Sequence, residues 1–297
     1  MAEALIDRQL LEKLERLTIH WQRSFRGLVG GHNASRFSGP GQEFLDHRSF
    51  HHGDDLRAVN WRAYMRFGKL FLKLFQTEPR TPIRILLDAS ASMAAPAGPG
   101  ETSKFDYARR LAAALVYVGL VRHDSIVLQP FHERLDEAFL ASGGRHRFGP
   151  TADFISSLAC GGRTRYFELA RQFLNVYSKP GLLVVIADFL DDEGCARPLQ
   201  YLADFGHELL LLHLWTPSER EPELAGDLTL TDSETGAPLE IALDREACRR
   251  YTEAFDRHAD TIEFLALRNG GRYLGFPTSV PLDEAIYSCL EVTPRSA

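Results

Sequence analysis

The sequence predicts a doubly wound, mostly parallel α/β sheet, preceded by an N-terminal helix and an irregular, partly β extension. Three observations lead there. From Ile83 onward, short and nearly continuous apolar runs alternate with helical patterns, which is how strands of a parallel sheet covered on both faces read. The run Glu78-Pro79-Arg80-Thr81-Pro82 separates that region from a Gly-, His- and Arg-rich stretch of different character. A chain of 297 residues is long enough to bury a substantial core beneath such a sheet. These signals divide the chain into residues 1–80, a helix and extension, and 81–297, the sheet domain.

Residues 4–24 carry Leu10, Leu14, Leu17 and Trp21 at helical spacing, a stripe expected to pack on the chain's own core. From Gly27 to about Arg66 the turn signals Gly39-Pro40-Gly41 and Gly53-Asp54-Asp55 predict loops and short strands, and 69–76 reads as a strand. In the sheet domain, Ile83–Leu87 is a strand. A helix over 104–121 follows, with Phe105, Ala108, Leu111, Ala112, Leu115 and Val118 on one stripe and Ser103 and Asp106 at capping-box spacing. Strand 125–131 comes next, then helices near 151–158 and 165–177, strand 182–187, a helix near 195–203 and strand 207–214. Ser233-Glu234-Thr235-Gly236 marks a hairpin between two short strands in 227–243. A helix over 245–268 ends at Asn269-Gly270-Gly271, and a strand over 272–276 and a helix over 281–290 close the chain.

Composition narrows the function classes. With 44% hydrophobic and 25% charged residues and a formal charge of −6, the chain resembles an ordinary globular protein and argues against wholesale nucleic-acid binding. Its four cysteines, Cys160, Cys195, Cys248 and Cys289, form neither a CxxC pair nor a zinc spacing and suit a reducing compartment as packed thiols. Charges throughout residues 1–29 and the shortness of the apolar runs predict a cytoplasmic protein without a membrane span. His32, His47, His51 and His52 have no recognisable ligand spacing and read as a solvated polar loop. No Gly-x-x-x-x-Gly-Lys-Ser/Thr stretch is present, so nucleotide hydrolysis would have to come from a partner.

In an open doubly wound sheet, ligands sit beyond the carboxyl ends of the strands. The first of these strands ends in Asp88-Ala89-Ser90-Ala91-Ser92, whose alternation can turn a carboxylate and two hydroxyls toward one point. Alone this is also a common turn and cap pattern. Gly161-Gly162-Arg163-Thr164 adds a hydroxyl before a helix, and Asp188 follows another apolar strand. Oxygen donors of this kind suit a hard cation, Mg²⁺ or alternatively Mn²⁺ or Ca²⁺.

Asp88-x-Ser90-x-Ser92 with Thr164 and Asp188 resembles the metal-ion-dependent adhesion site of von Willebrand factor A domains, whose sheet is Rossmann-type. The resemblance implies Ser90, Ser92 and Thr164 as direct ligands and Asp88 and Asp188 as direct or water-mediated ones. It also implies adhesion rather than catalysis, with a partner's carboxylate filling the open coordination position. Upstream, Glu43-Phe44, Arg48-Ser49-Phe50, Gly53-Asp54-Asp55-Leu56-Arg57-Ala58-Val59-Asn60-Trp61, then Leu72-Lys73 and Phe75, resemble the bacterial family designated domain of unknown function 58. That resemblance implies a MoxR-type AAA+ ATPase as partner, in maturation or assembly of other proteins.

The sequence departs from the family pattern at Asn60 in place of Asp, at Arg163 and Arg165 flanking the threonine, and at Phe189 where adhesion domains often carry glycine. Arg163 and Arg165 are expected to attract an anionic partner or to oppose a metal by repulsion. Asp54, Asp55 and Arg57 are further partner-contact candidates; the alternative for that stretch is a turn with Asp–Arg pairing and Trp61 as a core anchor. Asp191-Asp192-Glu193 reads as a charge run favouring a helix start rather than a second cation site. Two other functions remain open at this stage: a Mg²⁺-dependent hydrolase using Asp88 and Asp188, and a structural domain with a vestigial site.

Overall fold

The structure, a computed structural model, describes residues 5–6, 8–14, 43–51, 54, 59–76, 83–95, 100–121, 124–222 and 226–290, without the side chains of 8, 43–47 and 73–76. The chain divides into two compact units, residues 25–80 and residues 1–24 with 81–297. The sequence division at residue 80 had grouped the N-terminal helix with the extension; its described part, α1 (Arg8–Leu14), belongs with the sheet and packs on the first long helix there. Leu14 is buried as the apolar stripe requires, while Leu17 and Trp21 lie outside the described residues.

The smaller unit pairs β1 (Glu43–Ser49) antiparallel with β2 (Phe71–Gln76). Between them lies α2 (Trp61–Phe67), where the sequence reading expected loops and short strands as far as Arg66. The helix forms because its ends are capped. The Asn60 side chain accepts from the Ala63 amide at 3.3 Å, and Gly68, at φ 64°, donates its N–H to the Tyr64 carbonyl. Trp61 is 56% exposed, so the core-anchor reading is corrected; the indole packs edge-on against Tyr64 instead. Asp54 pairs with Arg48 at 2.8 Å and accepts the His51 amide at 2.8 Å, both of which hold its carboxyl below the usual range. Asp55 and Arg57 lie outside the described residues.

In the larger unit, β3 (Ile83–Asp88) leads through α3 (Lys104–Val121) to β4 (Ile126–Phe131) and the short β5 (Phe139–Ala141). Helices α4 (Phe148–Ser157) and α5 (Tyr166–Val176) follow, then β6 (Leu182–Ala187), α6 (Ala196–Asp204) and β7 (Glu208–Trp215). After α7 (Pro217–Arg220) comes the hairpin β8 (Gly226–Thr231) and β9 (Pro238–Leu243), then α8 (Arg245–Arg268), β10 (Arg272–Pro277) and α9 (Leu282–Leu290). The main sheet runs β10-β7-β6-β3-β4-β5, parallel except for the antiparallel edge strand β5. Counted from β3, this is the order 3-2-1-4-5-6 read from the far edge, the doubly wound arrangement expected. Connections reverse direction between β3 and β6, which opens a crevice beyond their carboxyl ends.

Both faces are covered. Helix α3 packs with α1, α4 and α9, while α5, α6 and α8 pack together. Leu183, Val185 and Ala187 of β6 join Leu86, Leu209 and Leu211 and the buried faces of α5, α6 and α8 in one core cluster. Their alternating neighbours Leu182, Val184 and Ile186 are equally buried, as strand periodicity demands of a doubly covered sheet. Helix α3 buries far more than the stripe seen in the sequence: Tyr107, Ala113, Ala114, Val116 and Leu120 are enclosed as well. A Cβ on Gly119 would stand 2.6 Å from Ile126 Cδ1, so a larger residue there would have to shift that side chain between α3 and β4. Gly271 is likewise needed after α8, because a Cβ there would meet the Leu209 carbonyl.

Candidate metal and ligand site at the carboxyl edge of the sheet

Strands β3 and β6 are parallel neighbours, in register from Ile83 with Leu182 to Leu87 with Ile186, so Asp88 and Asp188 leave the sheet at the same edge. Beyond Asp88 the chain folds into a 3₁₀ turn over Ala91–Ala94. The Ser90 amide donates to Asp88 Oδ1 at 2.9 Å, and the Ser90 and Ser92 hydroxyls lie 2.9 Å apart. The Gly161 amide donates to the Ala89 carbonyl at 2.8 Å and the Ala91 amide to that of Gly162 at 3.1 Å, stitching the two loops together. Gly162, at φ 77°, takes the left-handed conformation this turn requires. Thr164 follows, buried, with α5 starting two residues on.

The turn after β6 is built differently. Phe189 stands at φ 55°, in the left-handed region where a side chain costs about 1–3 kcal/mol. Its ring is wholly buried, stacked on Tyr166 at 6.0 Å and edge-on to His213 at 5.6 Å, packing that holds the strained backbone. The expected glycine is thereby replaced by a conformation, and the loop still turns. The Leu190 amide donates to Asp188 Oδ1 at 3.2 Å.

The five residues expected to supply metal ligands, Asp88, Ser90, Ser92, Thr164 and Asp188, all lie buried at this edge. Three further side chains join them that the sequence reading missed. Lys104, the first residue of α3, is 2% exposed and donates to Asp188 Oδ2 at 2.8 Å and to Glu219 Oε1 at 2.6 Å. Glu219 also closes a capping box with Thr216 at the start of α7. Glu234, in the turn of the β8–β9 hairpin, accepts the Thr164 hydroxyl at 3.0 Å and the Thr164 amide at 3.2 Å.

Charges at the site do not balance. Burial works against Asp188 ionising, yet Lys104, the Leu190 amide and the Ser92 hydroxyl hold it below the usual carboxylate range. Burial also favours neutral Lys104, but Asp188 and then Glu219 keep it protonated. Asp88 has no such counterion: burial and then the Asp188 charge push it well above the usual range, against only the Ser90 hydrogen bonds. Glu234 is raised too, by burial and by Asp188, against its bonds to Thr164 and Ser92. The Lys104 ammonium pairs with Asp188 and Glu219, and Asp88 Oδ2 is buried without a hydrogen-bond partner. An orphaned carboxylate oxygen amid surplus negative charge fits a bound cation.

Among the described residues no three His, Cys, Asp or Glu side chains form a metal-holding group of their own. The oxygen set here is mixed, carboxylates with hydroxyls, which suits Mg²⁺, a hard ion that keeps part of its water. Arg163 is half-buried and its charge favours ionised Asp232 in the hairpin turn, while Arg165 is exposed at the start of α5. Asp191 accepts the Tyr166 amide and the Glu193 amide, each at 3.0 Å, so it caps α5 rather than the helix that follows it in sequence. All four cysteines are free thiols; burial raises those of Cys160, Cys195 and Cys289 to about 12. No helix among the described residues is long and apolar enough to cross a membrane.

A six-stranded doubly wound sheet with polar side chains gathered at its switch point defines the class: an α/β domain of Rossmann-type order. The chain belongs to the family described as "Protein of unknown function DUF58", which matches residues 46–261. It is similar to the uncharacterized protein Rv1480 of Mycobacterium tuberculosis, with 24% identity over 80% of this chain and 75% of that one. Solved structures it resembles include the conserved hypothetical protein BatB from Bacteroides thetaiotaomicron, at 18% identity, 70% and 96% coverage and a TM-score of 0.43. Another is the SpRpn10 VWA domain, at 9% identity, 70% and 93% coverage and a TM-score of 0.37.

Proposed function

We propose that the protein is a binding adaptor that bridges to an acidic side chain of a partner through a divalent cation, and that it works with a MoxR-type AAA+ ATPase. The observation that carries this reading is the buried, partnerless Asp88 Oδ2 beside Asp188, within a cluster holding the hydroxyls of Ser90, Ser92 and Thr164. Asp88, Ser90, Ser92, Thr164 and Asp188 would hold the ion. The ion would supply a coordination position that only an accessible Asp or Glu completes. Lys104 and the Leu190 amide orient Asp188 and take up its charge, while the Ser90 amide orients Asp88. Such a site recognises an anion by charge and by displacement of water, and needs no group to move a proton. The ATPase partner and a role in protein maturation or assembly are what the family resemblance implies, while a cytoplasmic setting rests on the scattered, unpaired cysteines.

The test uses Mg²⁺ titration by calorimetry and capture of partners with and without chelator. Asp88→Ala and Ser90→Ala are expected to weaken Mg²⁺ binding by at least about tenfold, equivalent to roughly 1.4 kcal/mol, and to abolish partner capture, with the circular dichroism spectrum retained. Partner binding that survives EDTA unchanged would sink the proposal.

A further inference from the structure

Glu234 belongs to this chain, yet its carboxylate is bound to Thr164, one of the residues the preceding reading assigns to the cation. The hairpin turn that carries it is tightly built. Asp232 Oδ1 accepts the Glu234 amide at 2.9 Å and the Thr235 amide at 2.6 Å, the Asp232 amide donates to the Ala237 carbonyl at 2.9 Å, and Gly236, at φ 70°, closes the turn onto the Asp232 carbonyl. This frame presents the Glu234 side chain outward from the turn. Both its oxygens engage Thr164, one through the hydroxyl and one through the amide. A residue that would hold the cation, Thr164, therefore already holds this carboxylate.

The rest of the hairpin contributes little to seating it. Along β8 and β9 most residues are exposed, including Leu230 and Leu239, so the strands bury no continuous apolar face. A two-stranded hairpin with so little burial is marginal by itself. Its tip is held by polar interactions, the Glu234 bonds to Thr164 and the Arg163 charge near Asp232. Placing a third carboxylate near Asp88 and Asp188 is unfavourable unless a cation joins them, because like charges repel strongly in a buried site. An attachment that is polar and local can be exchanged for another of the same chemistry.

We propose that Glu234 is an internal ligand of this site: the β8–β9 hairpin seats its carboxylate at the position open to a partner's Asp or Glu, and an acidic partner engages the ion by displacing it. This inference rests on the metal-bridging reading and adds to it a competitor supplied by the chain itself. It also identifies the hairpin as the segment that must withdraw when the partner binds.

The experiment compares the full-length protein with Glu234→Gln, Glu234→Ala and Asp88→Ala, using Mn²⁺ alone as the probe. Mn²⁺ affinity is read by electron paramagnetic resonance, its bound water by proton relaxation, and the hairpin turn by hydrogen exchange of residues 232–237 with Mn²⁺ present. Removing a charged ligand is expected to weaken Mn²⁺ about tenfold in both Glu234 variants. It should also raise water relaxation per bound ion, as solvent takes the vacated position, and speed exchange of the turn by about tenfold or more. Unchanged affinity, relaxation and exchange in both Glu234 variants, with Mn²⁺ binding still lost in Asp88→Ala, would overturn the internal ligand and leave the bridging site standing. Absence of Mn²⁺ binding in the unmodified protein would overturn both.

Discussion

Asp88 and Asp188 end adjacent parallel strands, and both are wholly buried, yet their surroundings have opposite consequences. At the end of β6, Asp188 receives the Lys104 ammonium, the Leu190 amide and the Ser92 hydroxyl, and stays ionised below the usual range. At the end of β3, Asp88 receives only Ser90, keeps one oxygen without a partner and is pushed well above the usual range. Burial is common to both, so the counterion makes the difference. The protein itself supplies a counterion to one strand end and leaves the other without one. The surrounding turns differ in the same sense. The β3 turn is tied to the Thr164 loop by backbone bonds, whereas the β6 turn is braced by the packed Phe189 ring.

The sharpest way to break this contrast is Lys104→Met. It leaves Asp188 buried without its counterion and is expected to cost about 3–5 kcal/mol in urea unfolding, with part of the loss recovered on adding Mg²⁺. A loss below about 1 kcal/mol would mean that water, not Lys104, balances that charge.

Next in size is a comparison of the two aspartates as asparagines in metal-free protein. Asp188→Asn should destabilise by about 2 kcal/mol, less than the lysine change because Glu219 still pairs with Lys104. Asp88→Asn should leave stability unchanged or raise it by about 1 kcal/mol, since it removes a carboxyl whose ionisation the site disfavours. Equal losses from both would erase the distinction between the strand ends.

The opposite edge of the same sheet offers a control confined to acid pH. His207, just before β7, is buried, and burial followed by the nearby Arg84 charge lowers it from 6.5 to about 4. A histidine whose folded value is depressed stabilises fully above its unfolded value and loses that contribution as pH falls from 6.5 to 4. His207→Phe should therefore flatten the fall in stability across that window, by about 3 kcal/mol at its lower end. An unaltered acid limb would show that the carboxyl edge dominates the pH response.

The parts of this protein differ in how far they could be read from residue order. The strands of the main sheet stood out as apolar runs because a doubly covered strand is apolar on both faces, and α8 because its stripe and its Asn269-Gly270-Gly271 end are local features. Asp88, Ser90 and Ser92 were legible together because alternation over five residues can bring them to one point. Helix α2 was missed because glycine and histidine around it read as loop, although the Asn60 cap and Gly68 stop were both present. Lys104 left one faint signal: a lysine in the first turn of a helix opposes the helix dipole and asks for a carboxylate nearby. Glu219 was hidden by its own capping box, which explains it without reference to Lys104. Glu234 had only a hairpin signal, and its partner Thr164 is 70 residues away.

By itself, the sequence determined the order and type of most elements and the side chains that end the central strands. Those depend on periodicity and caps, which act within a few residues. Only the tertiary structure decided which carboxylate is paired, which is orphaned and which is lent to the site by the hairpin. Charge balance depends on distances across the fold, where Lys104 meets Asp188 and Glu234 meets Thr164, and no local pattern encodes how far apart distant segments of chain will come to rest.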